Sequence, residues 1–343
     1  MKKILVTGDR GYIGRVLVRQ LIKKKYKVVG IDSGFYERRT KTNVKSVNYK
    51  KIDKDVRKIS SEDLEGIDAI IHLSALSNDP LGQLNSKLTH DINYKASIHL
   101  AKLAKMSGVK RFIFSSSCSI YGIAKNGVVN EISRVNPLTE YAKSKIETEK
   151  ALRKLADDNF FVGLLRNSTV YGYSPAFRND LVVNNLVTCA LANQEIRIMS
   201  DGTPWRPLID VRDLSNIFIE FLETQDQALN GLIINIGFNE NNFQVRELVS
   251  IISKFLPKCK VVYTGEQGSD SRSYKVKFDL FKKHFPKVKQ KWTLDKSVKD
   301  LIENLRRNKY SKKDFDNGVN TRLAVLKKLL ENNRIDKDLY RTG

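Results

Sequence analysis

The chain has 343 residues, 41% of them hydrophobic, and a net charge of +23. That composition supports a large α/β core, and no apolar run approaches the ~20 residues that cross a bilayer. Three scattered cysteines, Cys118, Cys189 and Cys259, exclude a disulfide framework, and no Cys/His cluster has metal-ligand spacing. The apolar run after Met1 is too short for a signal peptide, so a reducing cytoplasm is the expected setting. The 61 basic residues outnumber 38 acidic ones along the whole chain, with runs at Lys23-Lys-Lys25 and Arg306-Arg307. No basic stretch is interleaved with aromatics. The charge therefore reads as a solvated lysine-rich surface. Attraction of diphosphate ligands and nucleic-acid binding are the two other readings.

In chain order, Lys3-Ile-Leu-Val-Thr7 reads as a short buried strand. Gly8-Asp-Arg-Gly11-Tyr-Ile-Gly14 follows at once, then an apolar-periodic helix over residues 13–22. Glycines at this spacing permit a tight turn, close approach of backbone to a pyrophosphate and tight helix-to-strand packing, with the phosphates at the helix N-terminus. A second strand, Tyr26-Lys-Val-Val-Gly-Ile-Asp32, ends in a carboxylate 18 residues after Gly14. That spacing suits an acid bonded to the adenosine ribose hydroxyls. Further strands are expected near 47–52, 69–73, 111–115 and 161–165. Residues 93–106 read as a helix with Ile98, Leu100, Leu103 and Ala104 on one side. This alternation predicts a doubly wound parallel α/β sheet.

Arg111-Phe-Ile-Phe-Ser-Ser-Ser117 runs from an apolar strand into hydroxyls, at the strand end where a parallel sheet meets a ligand. Tyr141-Ala-Lys-Ser-Lys145 then sets a phenol and an ammonium on one helix face. A phenol titrates near pH ~10, and a neighbouring cation favours its phenolate, which makes Tyr141 a candidate general base.

Together these segments resemble the extended short-chain dehydrogenase/reductase family, in particular its nucleotide-sugar epimerases, dehydratases and oxidoreductases. Thr7-Gly-x-x-Gly-x-x-Gly14, Asp55-Val-Arg57, His72-Leu-Ser-Ala75, Ser115-Ser-Ser117, Tyr121-Gly122 and Tyr141-x-x-x-Lys145 occur in order, and the resemblance runs to about residue 300. It implies a Rossmann fold with a smaller C-terminal substrate-binding lobe. Gly8, Arg10, Gly11, Tyr12, Ile13, Gly14 and Asp32 would hold the cofactor. Asp55 and Val56 would flank the adenine, and Leu73, Ser74, Ala75 and Ser115 would line the cleft. Ser117 would bond the reacting sugar hydroxyl with Ser119 beside it, and Tyr141 would be the base. Lys145 would tune Tyr141 and hold the nicotinamide ribose. A homodimer paired through the helix of Tyr141 is also implied.

Farther along, Gly163-Leu-Leu-Arg-Asn-Ser-Thr-Val-Tyr-Gly172 is similar to the family's Arg-x-x-Asn-x-x-Gly segment, with Thr169 where Asn is usual. Asn179 and Asn184 fall in what resembles the substrate-facing loop and helix; a helix cap is the other reading. Arg206, ahead of Val211-Arg-Asp213, is the expected diphosphate clamp, because a planar fork of donors suits phosphate oxygens. Arg272 is its expected second arm. Arg322-Leu-Ala-Val-Leu-Lys-Lys-Leu-Leu330 places Leu323, Leu326 and Leu330 on one stripe, an amphipathic helix packed on the body or on a partner. The expected divisions are 1–172 for the dinucleotide domain, 173–300 for a partly interleaved nucleotide-sugar lobe and 301–343 for a basic helical extension.

The reaction expected is NAD-dependent hydride transfer at a secondary carbinol, C4, of a nucleotide-linked sugar. The family's 4,6-dehydratases carry an Asp-Glu pair after the hydroxyl residue; here those positions are Cys118 and Ser119. Neither replaces a carboxylic acid well as a proton donor, and Cys118 reads as buried packing. Asp32 repels a 2′-phosphate and selects NAD. Arg10 resembles an arginine of NADP-using relatives and, with Arg38 and Arg39 nearby, supports the alternative of an NADP-dependent keto-sugar reductase. A non-catalytic nucleotide- or RNA-binding protein on the same fold is the alternative of another class.

Overall fold

The computed structural model describes residues 2–37, 44–77, 85–265 and 272–342; Arg38 and Arg39 lie outside them. Seven parallel strands form the main sheet, in the order Ile233–Ile236, Phe161–Asn167, Arg111–Ser117, Ala69–His72, Lys3–Thr7, Lys27–Asp32 and Tyr49–Asp53. Side chains alternate across it. Leu5, Ile70, Phe112, Phe114, Val162 and Leu164 enter one buried cluster. Ile4, Val6, Ile71, Ile113, Leu165 and Ile234 enter the other. Burial on both faces explains why the inner strands read as continuous apolar runs rather than alternating ones, whereas the edge strand Tyr49–Asp53 is partly exposed.

Helices Ala96–Met106 and Glu140–Arg153 cover the first face, and Tyr12–Lys23 and Val211–Glu223 cover the second. The expected face of Ala96–Met106 holds: Leu100 and Ala104 are buried, with Ile98 and Leu103 packed at the margin. The strand order reverses between Lys3–Thr7 and Ala69–His72, so a crevice opens at their carboxyl ends.

The smaller lobe packs helices Val182–Asn193, Val245–Phe255 and Leu294–Arg307 around Ile196, Ile198 and Leu208. It also holds the short sheet of Asn242–Gln244, Trp205–Asp210 and Thr169–Tyr171. The chain returns to the main sheet at Ile233–Ile236, so the two lobes interleave. The helix Arg322–Glu331 docks on the body of its own chain, with Leu326 fully buried in the main core. Among the described residues no helix is long and apolar enough to cross a membrane, and no group of His, Cys, Asp and Glu could hold a metal ion.

Candidate active site

A cleft of about 310 Å³ lies over the strand ends, between the two lobes. Its floor is the glycine turn. Gly8 adopts φ +71°, and its amide donates to the Ile31 carbonyl at 2.8 Å. A Cβ on Gly14 would stand 2.1 Å from the Gly8 carbonyl oxygen, so helix and turn touch backbone to backbone. The helix Tyr12–Lys23 begins at Gly11 with no side-chain cap and no acid in its first turn. Its first amides are therefore left for an anion. Gly8, Gly11, Tyr12, Ile13 and Gly14 all line the cleft. Asp32 lines it too, with its carboxylate accepting from the Gly34 amide at 2.7 Å and the Arg10 amide at 3.2 Å. Asp55 and Val56 form the far wall, and Leu73, Ser74 and Ala75 the near one.

The helix Glu140–Arg153 starts at Thr139, whose side chain accepts from the Ala142 amide at 3.2 Å. Tyr141 and Lys145 share one face of it and both line the cleft. The Lys145 ammonium is 5.6 Å from the Tyr141 ring centre and 4.6 Å from that of Phe114. It donates to the Ser115 carbonyl at 2.7 Å. Burial lowers its pKa to about 7, with Glu149 one turn away acting in the opposite sense. Glu149 is itself claimed by a fork from Arg166, at 2.8 Å and 3.1 Å, and by the Ser116 hydroxyl. Ser117 faces the cleft and donates to the Ser119 hydroxyl at 2.9 Å. The Ser115 hydroxyl accepts from the Asn167 amide group at 2.9 Å.

Beneath this layer His72 joins the walls. Its Nδ1 is 2.6 Å from the Thr7 hydroxyl and its Nε2 is 2.7 Å from the Ser97 hydroxyl. Ser97 spends its one proton on the Asn93 carbonyl at 2.6 Å. Nε2 must therefore carry the ring proton, and Thr7 donates to Nδ1. Burial, helped by the charge of Lys145, drives the His72 pKa down to about 3, so the ring is neutral. Asn93 continues the network to the Leu76 backbone and to the Ser144 hydroxyl on the helix of Tyr141.

Three sequence expectations fall elsewhere. The Arg10 side chain is turned out of the cleft into an acidic socket, bonded to Glu37 at 2.8 Å, to Asp53 and to the Asp32 carbonyl. It is 1% exposed, and those carboxylates make the socket unsuitable for a 2′-phosphate. Asn179 is buried with its side chain accepting from Thr188. Asn184 is buried on an inward helix face, where it accepts from the Gly172 amide at 3.0 Å and donates to the Arg178 carbonyl at 2.9 Å. Both asparagines brace the lobe and neither lines the cleft. Cys118, read from the sequence as buried packing, does point into the packing around Ile120 and Tyr121, donates to the Arg166 carbonyl, and has its thiol pKa pushed up by burial.

Arg206 and Arg272 do line the cleft, Arg206 bonding the Arg272 carbonyl. Sequence reasoning missed Arg178, Asp180, Tyr36 and Arg322, which also line it. Arg178 sits next to the favoured Asn179, and the suitability of a guanidinium fork for phosphate was the available signal. Nothing local in the sequence marks Arg322.

The NAD dependent epimerase/dehydratase family model matches residues 4–237. A putative UDP-glucose 4-epimerase of Methanocaldococcus jannaschii is 27% identical, over 89% of this chain and 99% of its own. The dTDP-D-glucose 4,6-dehydratase of Mus musculus is 25% identical, over 93% and 92%. The structure of MoeE5 in complex with UDP-glucuronic acid and NAD superposes with a TM-score of 0.78 at 26% identity, covering 89% of this chain and 99% of that one.

Proposed function

The chain belongs to the NAD dependent epimerase/dehydratase family, and we propose that within it the protein is a 4-epimerase of a nucleoside-diphosphate hexose, with UDP-sugars the favoured class. The observation that carries this reading is the gathering of Ser117, Tyr141 and Lys145 in one cleft whose described lining residues offer no available carboxylic acid beside them. The carboxylates among the described lining residues are Asp32, Asp55 and Asp180. Asp32 is held by backbone amides, and Asp55 and Asp180 are forked by Arg57 and Arg178. Arg178 holds the Asp180 pKa below the usual carboxylate range. Eliminating water from a sugar needs a proton donor, and none of these groups is suited to it.

The cleft suits the adenosine and diphosphate portion of NAD. The cradle at Gly8 and Gly14 and the uncapped helix suit its diphosphate, and Asp32 suits an unphosphorylated ribose. When bound, the nicotinamide supplies a hydride acceptor and donor. Tyr141 takes the proton of the C4 hydroxyl, which Ser117 orients by hydrogen bonding. Lys145 stabilises the phenolate electrostatically. Once the sugar ketone has turned over, Tyr141 returns its proton to the opposite configuration. Arg206 and Arg272 serve the substrate diphosphate.

The test is turnover of UDP-glucose, UDP-glucuronic acid and UDP-N-acetylglucosamine followed by product NMR. The expected product is inverted at C4, and Tyr141→Phe should slow it by ~10²–10⁴-fold while NAD binding persists. A 4-keto-6-deoxy product, or undiminished turnover by the phenylalanine variant, would refute the reading.

A further inference from the structure

The C-terminal extension packs on the main lobe and contributes Arg322 to the lining of the cleft. Leu326, Ile335 and Leu339 are buried beside Val56, Ile59 and Leu64. Tyr340 lies under the Arg57 guanidinium, 3.6 Å from its ring centre, and Asp338 accepts from Arg57 through its carbonyl at 2.8 Å. Arg341 donates to the Ser33 carbonyl at 2.6 Å. At its other end the Asn320 carbonyl accepts from the Asn179 amide at 2.9 Å. The extension thus spans from the loop after Asp32 to the loop bearing Arg178.

Arg322 enters the cleft from this roof. It is 5% exposed, with its guanidinium 4.0 Å over the Tyr36 ring and one bond, at 3.3 Å, to the Ala176 carbonyl. Among the described residues it makes no ion pair. Arg178 lies near enough to repel it, and that repulsion adds to burial in bringing its pKa down to about 10. Arg178 is already paired with Asp180 at 2.9 Å. Asp180 and Asp32 favour its charge without pairing with it, and a buried guanidinium that lacks a direct ion pair is costly. The cost is offset when an anion enters, and the same cleft holds the uncapped amides of the glycine turn.

We propose that Arg322, delivered by the C-terminal extension, forms with Arg178 a phosphate-binding pair for the diphosphate of the dinucleotide, so that the extension is part of the cofactor site. This rests on the assignment of the cleft to NAD. It gives the protein one arginine pair for each diphosphate: Arg206 with Arg272 for the sugar nucleotide, Arg178 with Arg322 for the cofactor.

The test compares the full-length apoprotein with Arg322→Met and Arg322→Lys, titrated with NAD, ADP, adenosine and UDP at low and high salt. Loss of a charge-assisted contact predicts a fall of ~10- to 100-fold for NAD and ADP in the methionine variant. Adenosine and UDP should change by less than about twofold, and the lysine variant should recover part of the loss. The salt dependence of NAD binding should flatten in the methionine variant, and its apo melting temperature should not fall, because a buried unpaired charge has been removed. Unchanged NAD affinity would overturn the proposal, as would equal losses for NAD and adenosine, or a loss for UDP in place of NAD. A large drop in apo melting temperature would mark Arg322 as a structural residue and also overturn it. A wild-type protein that binds no NAD would overturn the cleft assignment itself, an outcome distinct from wild-type and variant binding alike.

Discussion

Replacing Lys145 with Met should change how the stability of the apoprotein depends on pH. Lys145 is 3% exposed and titrates at about 7 in the folded chain, against a reference value of 10.5. Between those values the unfolded chain holds a proton that the folded chain has lost. Stability therefore rises with pH across this window and falls as pH drops through about 7. From about pH 7 to about pH 9, two steps of ~1.4 kcal/mol each, less the ~0.4 kcal/mol already gained at the lower pH, give a rise of about 2 kcal/mol. Met has no such proton.

The methionine variant also loses the bond to the Ser115 carbonyl, but that cost does not vary with pH. Asp9, whose pKa is raised to about 7 by burial and by the charge of Asp32, titrates in the same range. It is common to both proteins and cancels in the difference. Urea unfolding of both apoproteins at the two pH values reads the difference directly. The wild type should gain about 2 kcal/mol more than the variant. Parallel pH dependence in the two proteins would show that the Lys145 ammonium is solvated, and the electrostatic account of the site would fail with it.

Two further outcomes follow from the geometry. Gly14→Ala would drive a methyl to 2.1 Å from the Gly8 carbonyl oxygen and 2.7 Å from the Asp9 Cα. Because those atoms are backbone, the turn must open, and NAD affinity measured by titration should fall at least ~10-fold, with a destabilisation of ~1–3 kcal/mol from overpacking. Cys118→Ala should retain turnover within about threefold and lose ~1–2 kcal/mol of stability for a small buried side chain; a fall beyond ~10² in turnover would place the thiol in the chemistry.

Much of the site was legible because it is local in sequence. The Gly8 to Gly14 spacing, the carboxylate closing the second strand, the hydroxyls ending Arg111–Ser117 and the Tyr141–Lys145 pair each lie within one turn, strand end or helix face. Short apolar runs alternating with helical patterns carried the sheet in the same way. What sequence did not reveal depends on contacts between distant segments. Arg10 sits in the glycine turn just ahead of Gly11 and looks free to meet a ligand, but the carboxylates that capture it come from Glu37 and from Asp53 on another strand. Asn184 looked like a polar ligand on a substrate helix, yet that helix face packs inward against Tyr12 and Arg178. The stripe of Leu323, Leu326 and Leu330 announced a docked helix. It did not announce that docking would bring Arg322, the residue ahead of it, into the lining of the cleft.

A lysine depressed towards neutrality at first conflicts with the role assigned to it, because only an ammonium can stabilise a phenolate. The conflict dissolves when Tyr141 and Lys145 are treated as one titrating unit. With both protons present the pair is phenol and ammonium, and burial penalises that charge. Removing one proton leaves either phenol with amine or phenolate with ammonium. The second form places opposite charges about one helical turn apart in a weakly screened cleft, where their attraction is largest. Glu149 competes little for the ammonium, since Arg166 and Ser116 already hold its oxygens. His72 is kept neutral next door and adds no repulsion. Burial of Lys145 thus lowers the pH at which the pair gives up its first proton. A phenol alone would hold that proton to near pH ~10. It is the attraction between the two opposite charges, strengthened in the weakly screened cleft, and not the desolvation of Lys145, that favours the pair's phenolate form.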